Sequence, residues 1–308
     1  MSEDNTRLPP ERLRQLLEEK LKNLKELEII GKNSIYVKEL SDIALIQLQL
    51  QLYDDSEQNY LICLKHFEKQ KDRLGQAAVH GVLGTLFFTK GEYQKSIDHN
   101  EKANKFYLDL KQIEEQITCL KGIGISLIKL NKLDEASEVF NDCSNICSTT
   151  NDIYGLLDCL GNLINIYELT GKWDTIFELY KKTLKAFKQI NDFKGITTSY
   201  FNLGILQKRF NNMEEALRYF KKGTNVAIDS NYAELIIKGL GYVGEIYVYL
   251  GDLKEAMNQF IKALHIANNI KAENAKKQLV ILLTSLGLQH NDIYEELKKY
   301  KEEKEKNF

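Results

Sequence analysis

The chain has 308 residues, 43% of them apolar and 28% charged, with a formal net charge of −2. That is a foldable, soluble composition; it lacks the basic footprint that nucleic acid or an anionic membrane would call for. Its two prolines are Pro9 and Pro10, too few for the turns of a large β-rich domain, and no apolar run approaches the roughly 20 residues of a membrane-spanning helix.

In chain order, residues 1–8 read as a flexible tail. Pro9-Pro10-Glu11 opens a helix to about Ile30, proline being suited to a first helical turn. Its leucines at 13, 17, 21, 24 and 27 form one stripe. The stripe reads as an N-terminal cap over residues 9–31, with a dimerising coiled coil as the alternative. Residues Lys32 to Asp72 suit a degenerate helix hairpin with its turn near Tyr53-Asp54-Asp55.

From there the chain repeats every 40 residues without an insertion. The rows are 83–103, 123–143, 163–183, 203–223 and 243–263. One column reads Gly84, Gly124, Ile164, Gly204, Gly244. A turn column reads Gly91, Asn131, Gly171, Asn211, Gly251, residues that accept the left-handed conformation ending a helix. A further column reads Ser96, Ala136, Ile176, Ala216, Ala256, then Asn100, Phe140, Tyr180, Phe220, Phe260, and last Ala103, Cys143, Thr183, Gly223, Ala263. Large and small columns alternate at the spacing of one helix face, as in a helix hairpin. Between hairpins, NDIYG at 151–155 and NDFKG at 191–195 read as punctuation: Asn ends one helix, Asp caps the next, and Gly admits a close neighbour. After the rows, Ala272 to Gln289 suits a helix, His290-Asn291-Asp292 a turn, and Ile293 onward a last helix. That helix finishes in KKYKEEKEKNF, a charged and fraying end.

The columns resemble the tetratricopeptide repeat, with 243–263 matching best through Gly244, Tyr247, Gly251, Ala256, Phe260 and Ala263. A period near 40 is similar to that of kinesin light chain, the LGN/Pins proteins and the Rap-type peptide receptors. The resemblance implies an all-α, right-handed solenoid of antiparallel helix pairs. About six hairpins would fill 32–270, with a C-terminal capping pair at 271–308. It also implies a concave groove lined by the first helix of each pair, where asparagine amides can grip peptide backbone. On that basis Asn162 and Asn202 form a two-rung ladder, with Asn165 one turn on. Asp158, Thr198, Lys238, Lys121, Phe201, Tyr242 and Glu245 surround them. Ordinary groove polarity or helix-to-helix hydrogen bonding is the competing reading for the asparagines. The clamp that chaperone-binding members use against two carboxylates lacks its basic pair, since Thr198 and Asn202 stand there.

Other chemistry is sparse. The five cysteines (63, 119, 143, 147, 159) include no Cys-x-x-Cys pair, and there is no signal-peptide pattern; reduced thiols and a cytoplasmic protein are expected. Cys143 and Cys147 share a helix face, so a metal and plain packing are both open, with packing the simpler account. The histidines (66, 80, 99, 265, 290) form no ligand motif along the sequence. Gly122-Ile123-Gly124 and Gly171-Lys172 lack the rest of a nucleotide-binding loop. The expectation is a non-enzymatic scaffold without cofactor or metal, capturing an extended peptide or helix of another protein. Self-association through the N-terminal helix and a receptor for a signalling peptide are the alternatives.

Overall fold

The computed structural model describes residues 8–306, and residues 1–7 of the expected tail lie outside them. The described residues form fifteen α-helices and no strand. They divide into two compact units, residues 1–166 and 167–308.

The first unit holds α1 (Pro10–Ile30), α2 (Ser34–Gln49), α3 (Tyr53–Gln70), α4 (Arg73–Thr89), α5 (Tyr93–Leu110), α6 (Ile113–Lys129) and α7 (Leu133–Thr150), with most of α8 (Ile153–Thr170). The second holds α9 (Trp173–Gln189), α10 (Phe193–Arg209), α11 (Met213–Asp229), α12 (Ala233–Tyr249), α13 (Leu253–Asn269), α14 (Glu273–Ser285) and α15 (His290–Lys306). From α1 to α7, and again from α9 to α14, each helix packs on the next; α4 also touches α6, and α15 packs on α13 and α14.

The connections are nearly identical. A left-handed residue occurs at Gln51, Lys71, Gly91, Lys111, Asn131, Asn151, Gly171, Asn191, Asn211, Asn231, Gly251 and Lys271, one every 20 residues. All five residues of the predicted turn column are among them. At the seams, the side chains of Asp72, Asp152 and Asp192 accept hydrogen bonds from the backbone N–H groups of Gly75, Gly155 and Gly195. These caps occupy orphan donors of the incoming helix. A Cβ at Gly195 would lie 2.3 Å from the ring of Phe187, so the glycine lets two helices approach. NDIYG and NDFKG are punctuation, as their spacing suggested.

Packing follows the columns. Phe140, Phe220 and Phe260 are at most 1% exposed, and each seats its ring on a glycine of the preceding helix, Gly124, Gly204 or Gly244. In the first row the aromatic is replaced by Asn100. Its amide nitrogen donates to the Ser96 carbonyl at 2.9 Å, and Ser126 Oγ contacts Ser96 Oγ at 3.1 Å. Burying these polar groups is tolerable because they bond one another.

Helix α1 has the predicted bounds and packs on α2. Leu13 is buried and Leu24 and Leu27 join the core under α2 to α4, while Leu21 is 38% exposed. Two local expectations are corrected. The first hairpin turns at Leu50–Leu52, not at Tyr53-Asp54-Asp55, which begin α3. The last turn is centred on Gly287, while His290-Asn291-Asp292 open α15, with Asp292 Oδ2 accepting from the Gln289 N–H at 2.8 Å. The charged C-terminal segment is helical to Lys306, and residues 307–308 lie outside the described residues.

Candidate functional site

In the first unit, the sequence-predicted residues gather where α6 and α8 face each other. An open cleft of about 810 Å³ is lined by residues including Glu114, Thr118, Lys121, Tyr154 and Asp158. Lys121 and Asp158 form an ion pair across it. Burial pulls the Lys121 ammonium down, but the hydrogen bond and charge of Asp158 outweigh it and hold the group above an ordinary lysine. A second cleft, of about 480 Å³, lies between α4 and α6 and shares Glu114 and Thr118 with the first. Its lining includes Gly81, Val82 and the anomalous Asn100. The two clefts therefore make one trough along α4, α6 and α8. Apart from Lys121, its charged lining residues are acidic: Glu114, Glu115, Asp152 and Asp158.

Asn162 is half-buried on α8. Its amide nitrogen donates to the Asp158 carbonyl at 2.9 Å and lies 3.5 Å from Asp158 Oδ1. One turn on, Asn165 is exposed.

In the second unit, α10 and α12 carry the remaining predicted residues. Asn202 is half-buried, and its amide has no hydrogen-bond partner among the described residues. Thr198 is exposed and donates to the Lys194 carbonyl at 2.9 Å. Glu245 pairs with Lys208 at 3.0 Å, and the Lys238 ammonium lies 5.7 Å from the centroid of the Tyr242 ring. Phe201 is corrected from groove to core. It is 2% exposed, meets the Tyr242 ring edge-on at 5.5 Å between centroids, and fills the space left by Gly223 and Gly239. Phe201 thus supports Tyr242, which also stacks on Phe220 at 4.7 Å. Asn162 and Asn202 fall in different compact units, and each is placed by its own unit.

Sequence reasoning missed Glu114 and Tyr154. Both stand ten residues before the column of Gly124 and Ile164, in the first turn of α6 and α8. Tyr154 is 74% exposed, and its place in the same column of the repeat as Glu114 was the available signal. The histidines are also less dispersed than expected: His80 and His99 face each other across the α4–α5 turn, Nδ1 to Nδ1, at 3.0 Å. Burial, then the neighbouring His99 and Lys102, lowers the His80 pKa to about 4. Burial also lowers that of His99.

A family model for the tetratricopeptide repeat matches residues 156–229, and a second, also described as a tetratricopeptide repeat, matches 243–270. The chain is a tetratricopeptide repeat protein. Over 232 residues this repeat protein is 22% identical to kinesin light chain-related protein 3 of Arabidopsis thaliana, a match covering 70% of this chain and 34% of the relative. It therefore spans about a third of that relative's length. Among solved structures, the apo form of RapI aligns at a TM-score of 0.51 and 15% identity, over 81% of this chain and 97% of that one. Aspartyl phosphate phosphatase F from Bacillus subtilis aligns at 0.51 and 13% identity, over 95% and 86%. At these identities the likeness is one of fold: an all-α solenoid of tetratricopeptide hairpins. Such repeats are generally protein-interaction modules. No helix among the described residues is long and apolar enough to cross a membrane.

Proposed function

We propose that this protein is a non-enzymatic, cytoplasmic scaffold that captures an extended segment or helix of a partner protein on the faces of its first helices. The observation that carries the reading is the trough of the first unit, where the exposed ring of Tyr154 stands in the same cleft as the Lys121–Asp158 pair. An exposed aromatic in a preformed concavity is the usual anchor of a peptide site, and side chains already in place lower the ordering cost of binding. The acidic lining favours a segment with basic residues. In the second unit, the unpaired amide of Asn202 can both donate to and accept from a peptide backbone, with Thr198, Lys238, Tyr242 and Glu245 on the same pair of helices. On α8, Asn165 offers an equivalent amide, and Asn162 one whose nitrogen already donates to the Asp158 carbonyl.

Selection of short peptides from a displayed random library tests this. Enrichment of binders is expected. Tyr154→Ala should weaken the best of them at least tenfold, about 1.4 kcal/mol, with Tm unchanged. Asn162→Ala and Asn202→Ala separate the two readings of the asparagines: loss of binding at constant Tm supports a backbone grip, and loss of Tm a structural role. Binding indifferent to all three would refute the site.

One observation favours a second reading, self-association through α1. Ile29 and Ile30 at its end are 87% and 74% exposed. Ile29→Lys combined with Ile30→Lys would convert a dimer to a monomer by light scattering; an unchanged mass would remove the idea. The similarity to RapI brings a receptor for a signalling peptide under the same test, since a single enriched short sequence would favour it over a broad scaffold.

A further inference from the structure

Beneath the trough lies a group of side chains that peptide binding does not use. Cys143 and Cys147, one turn apart on α7, meet Cys159 of α8, and the three sulfurs all lie within 4.8 Å of one another. Each residue is 0% exposed. Cys63 and Cys119, the other two cysteines, are buried elsewhere, Cys63 Sγ against the Val37 carbonyl at 3.6 Å.

We propose that Cys143, Cys147 and Cys159 form a trithiolate site for a soft monovalent cation, Cu(I). A planar trigonal site with metal–sulfur bonds of about 2.3 Å needs sulfurs roughly 4 Å apart, which the three side chains reach by small rotations. Thiolates select soft ions. Zinc is almost always four-coordinate, and this group offers three ligand atoms in a place closed to solvent. No His, Asp or Glu joins it as a fourth ligand among the described residues.

The surroundings suit the charge. Filling the site releases the thiol protons to solvent, and copper stays Cu(I) throughout. Three thiolates and one Cu(I) carry a net −2, and the Lys121 ammonium lies within electrostatic reach of Cys143 and Cys159. An entry path exists as well. Gly155 and Asp152 both line the α6–α8 cleft, and a Cβ at Gly155 would lie 2.1 Å from Asp152 Oδ2 and 2.9 Å from Cys147 Sγ, so that sulfur lies just behind Gly155 and the Asp152 carboxylate.

The test uses the reduced full chain under anaerobic conditions, titrated with Cu(I) held by bicinchoninate as a coloured competitor. One Cu(I) per chain should be withdrawn from the competitor, with thiolate-to-copper absorption in the near ultraviolet. Cys63→Ser combined with Cys119→Ser should keep that equivalent, and Cys143→Ser, Cys147→Ser and Cys159→Ser should each lose it. Buried serines can unfold a helix pair, so circular dichroism follows each variant. Alkylation mapping of the wild-type chain decides independently: Cu(I) should protect peptides carrying residues 143, 147 and 159 and leave Cys63 and Cys119 unaffected. Failure to withdraw copper, protection of the wrong cysteines, or tighter retention of Zn(II) than of Cu(I) would each overturn the proposal.

Discussion

Two glycines three residues apart on α12 have opposite surroundings. A Cβ at Gly244 would lie 2.5 Å from Phe260 Cε1 and 2.8 Å from both Cδ1 and Cζ, whereas a Cβ at Gly241 meets nothing within 4 Å. All three close atoms belong to one ring, 0% exposed and enclosed by the core of α11 to α15. It has no free space to swing into. Gly241→Ala should therefore stabilise the protein by about 0.5–1 kcal/mol through helix propensity. Gly244→Ala gains the same propensity but overpacks the core, which typically costs about 1–3 kcal/mol, for a net loss on the order of 1–2 kcal/mol. Urea denaturation of the two variants should show midpoints displaced to opposite sides of the wild type with unchanged slope. Adding Phe260→Leu to Gly244→Ala should recover part of the loss, since the two positions share one contact. Equal displacements in the same direction would refute the glycine-under-aromatic account of the hairpins.

The His80–His99 contact predicts an acid-sensitive first unit. The unfolded histidine takes up its proton near 6.5 and folded His80 only near about 4. The unfolded chain thus binds more protons in between, and stability falls as pH drops through that window, by about 3 kcal/mol for His80 alone; His80→Leu should flatten the dependence measured by urea melts from neutral pH to pH 4. Asp72→Ala and Asp192→Ala should each cost about 1 kcal/mol, as lost helix caps do, with peptide affinity unchanged in a binding titration. Lys121→Met should weaken an acidic peptide and strengthen a basic one, because it removes the trough's cation; the same direction of change for both peptides would contradict the electrostatic reading.

The repeat was legible because its signal is carried by residue types the geometry demands: Gly or Asn where φ is positive, and Phe opposite Gly. It failed where other residues do the same work. Gln51, Lys71, Lys111 and Lys271 also take the left-handed conformation, so the first turn was drawn toward the acidic pair after Tyr53. His290-Asn291-Asp292 carry turn-forming side chains, yet Asp292 serves as a cap inside the first turn of α15. Phe201 shares its column with Gly81, Lys121, Gly161 and Gly241, which suggested the groove. The small residues Gly223 and Gly239 on neighbouring helices let its ring turn inward instead. The three-cysteine cluster and the histidine pair join residues 16 and 19 positions apart on successive helices, a proximity that appears only once the hairpin fold is known.

Partner capture on the first-helix faces is tested most directly by site-specific photocrosslinking. A photoreactive residue would replace Tyr154 on α8 or Tyr242 on α12, with Glu138 on α7 and Lys181 on α9, both exposed on second helices, as controls. Irradiation in the native cell and mapping of the adducts should give crosslinks from positions 154 and 242 to a short segment of a partner protein, and none from 138 or 181. Crosslinks confined to the second-helix positions would contradict the account.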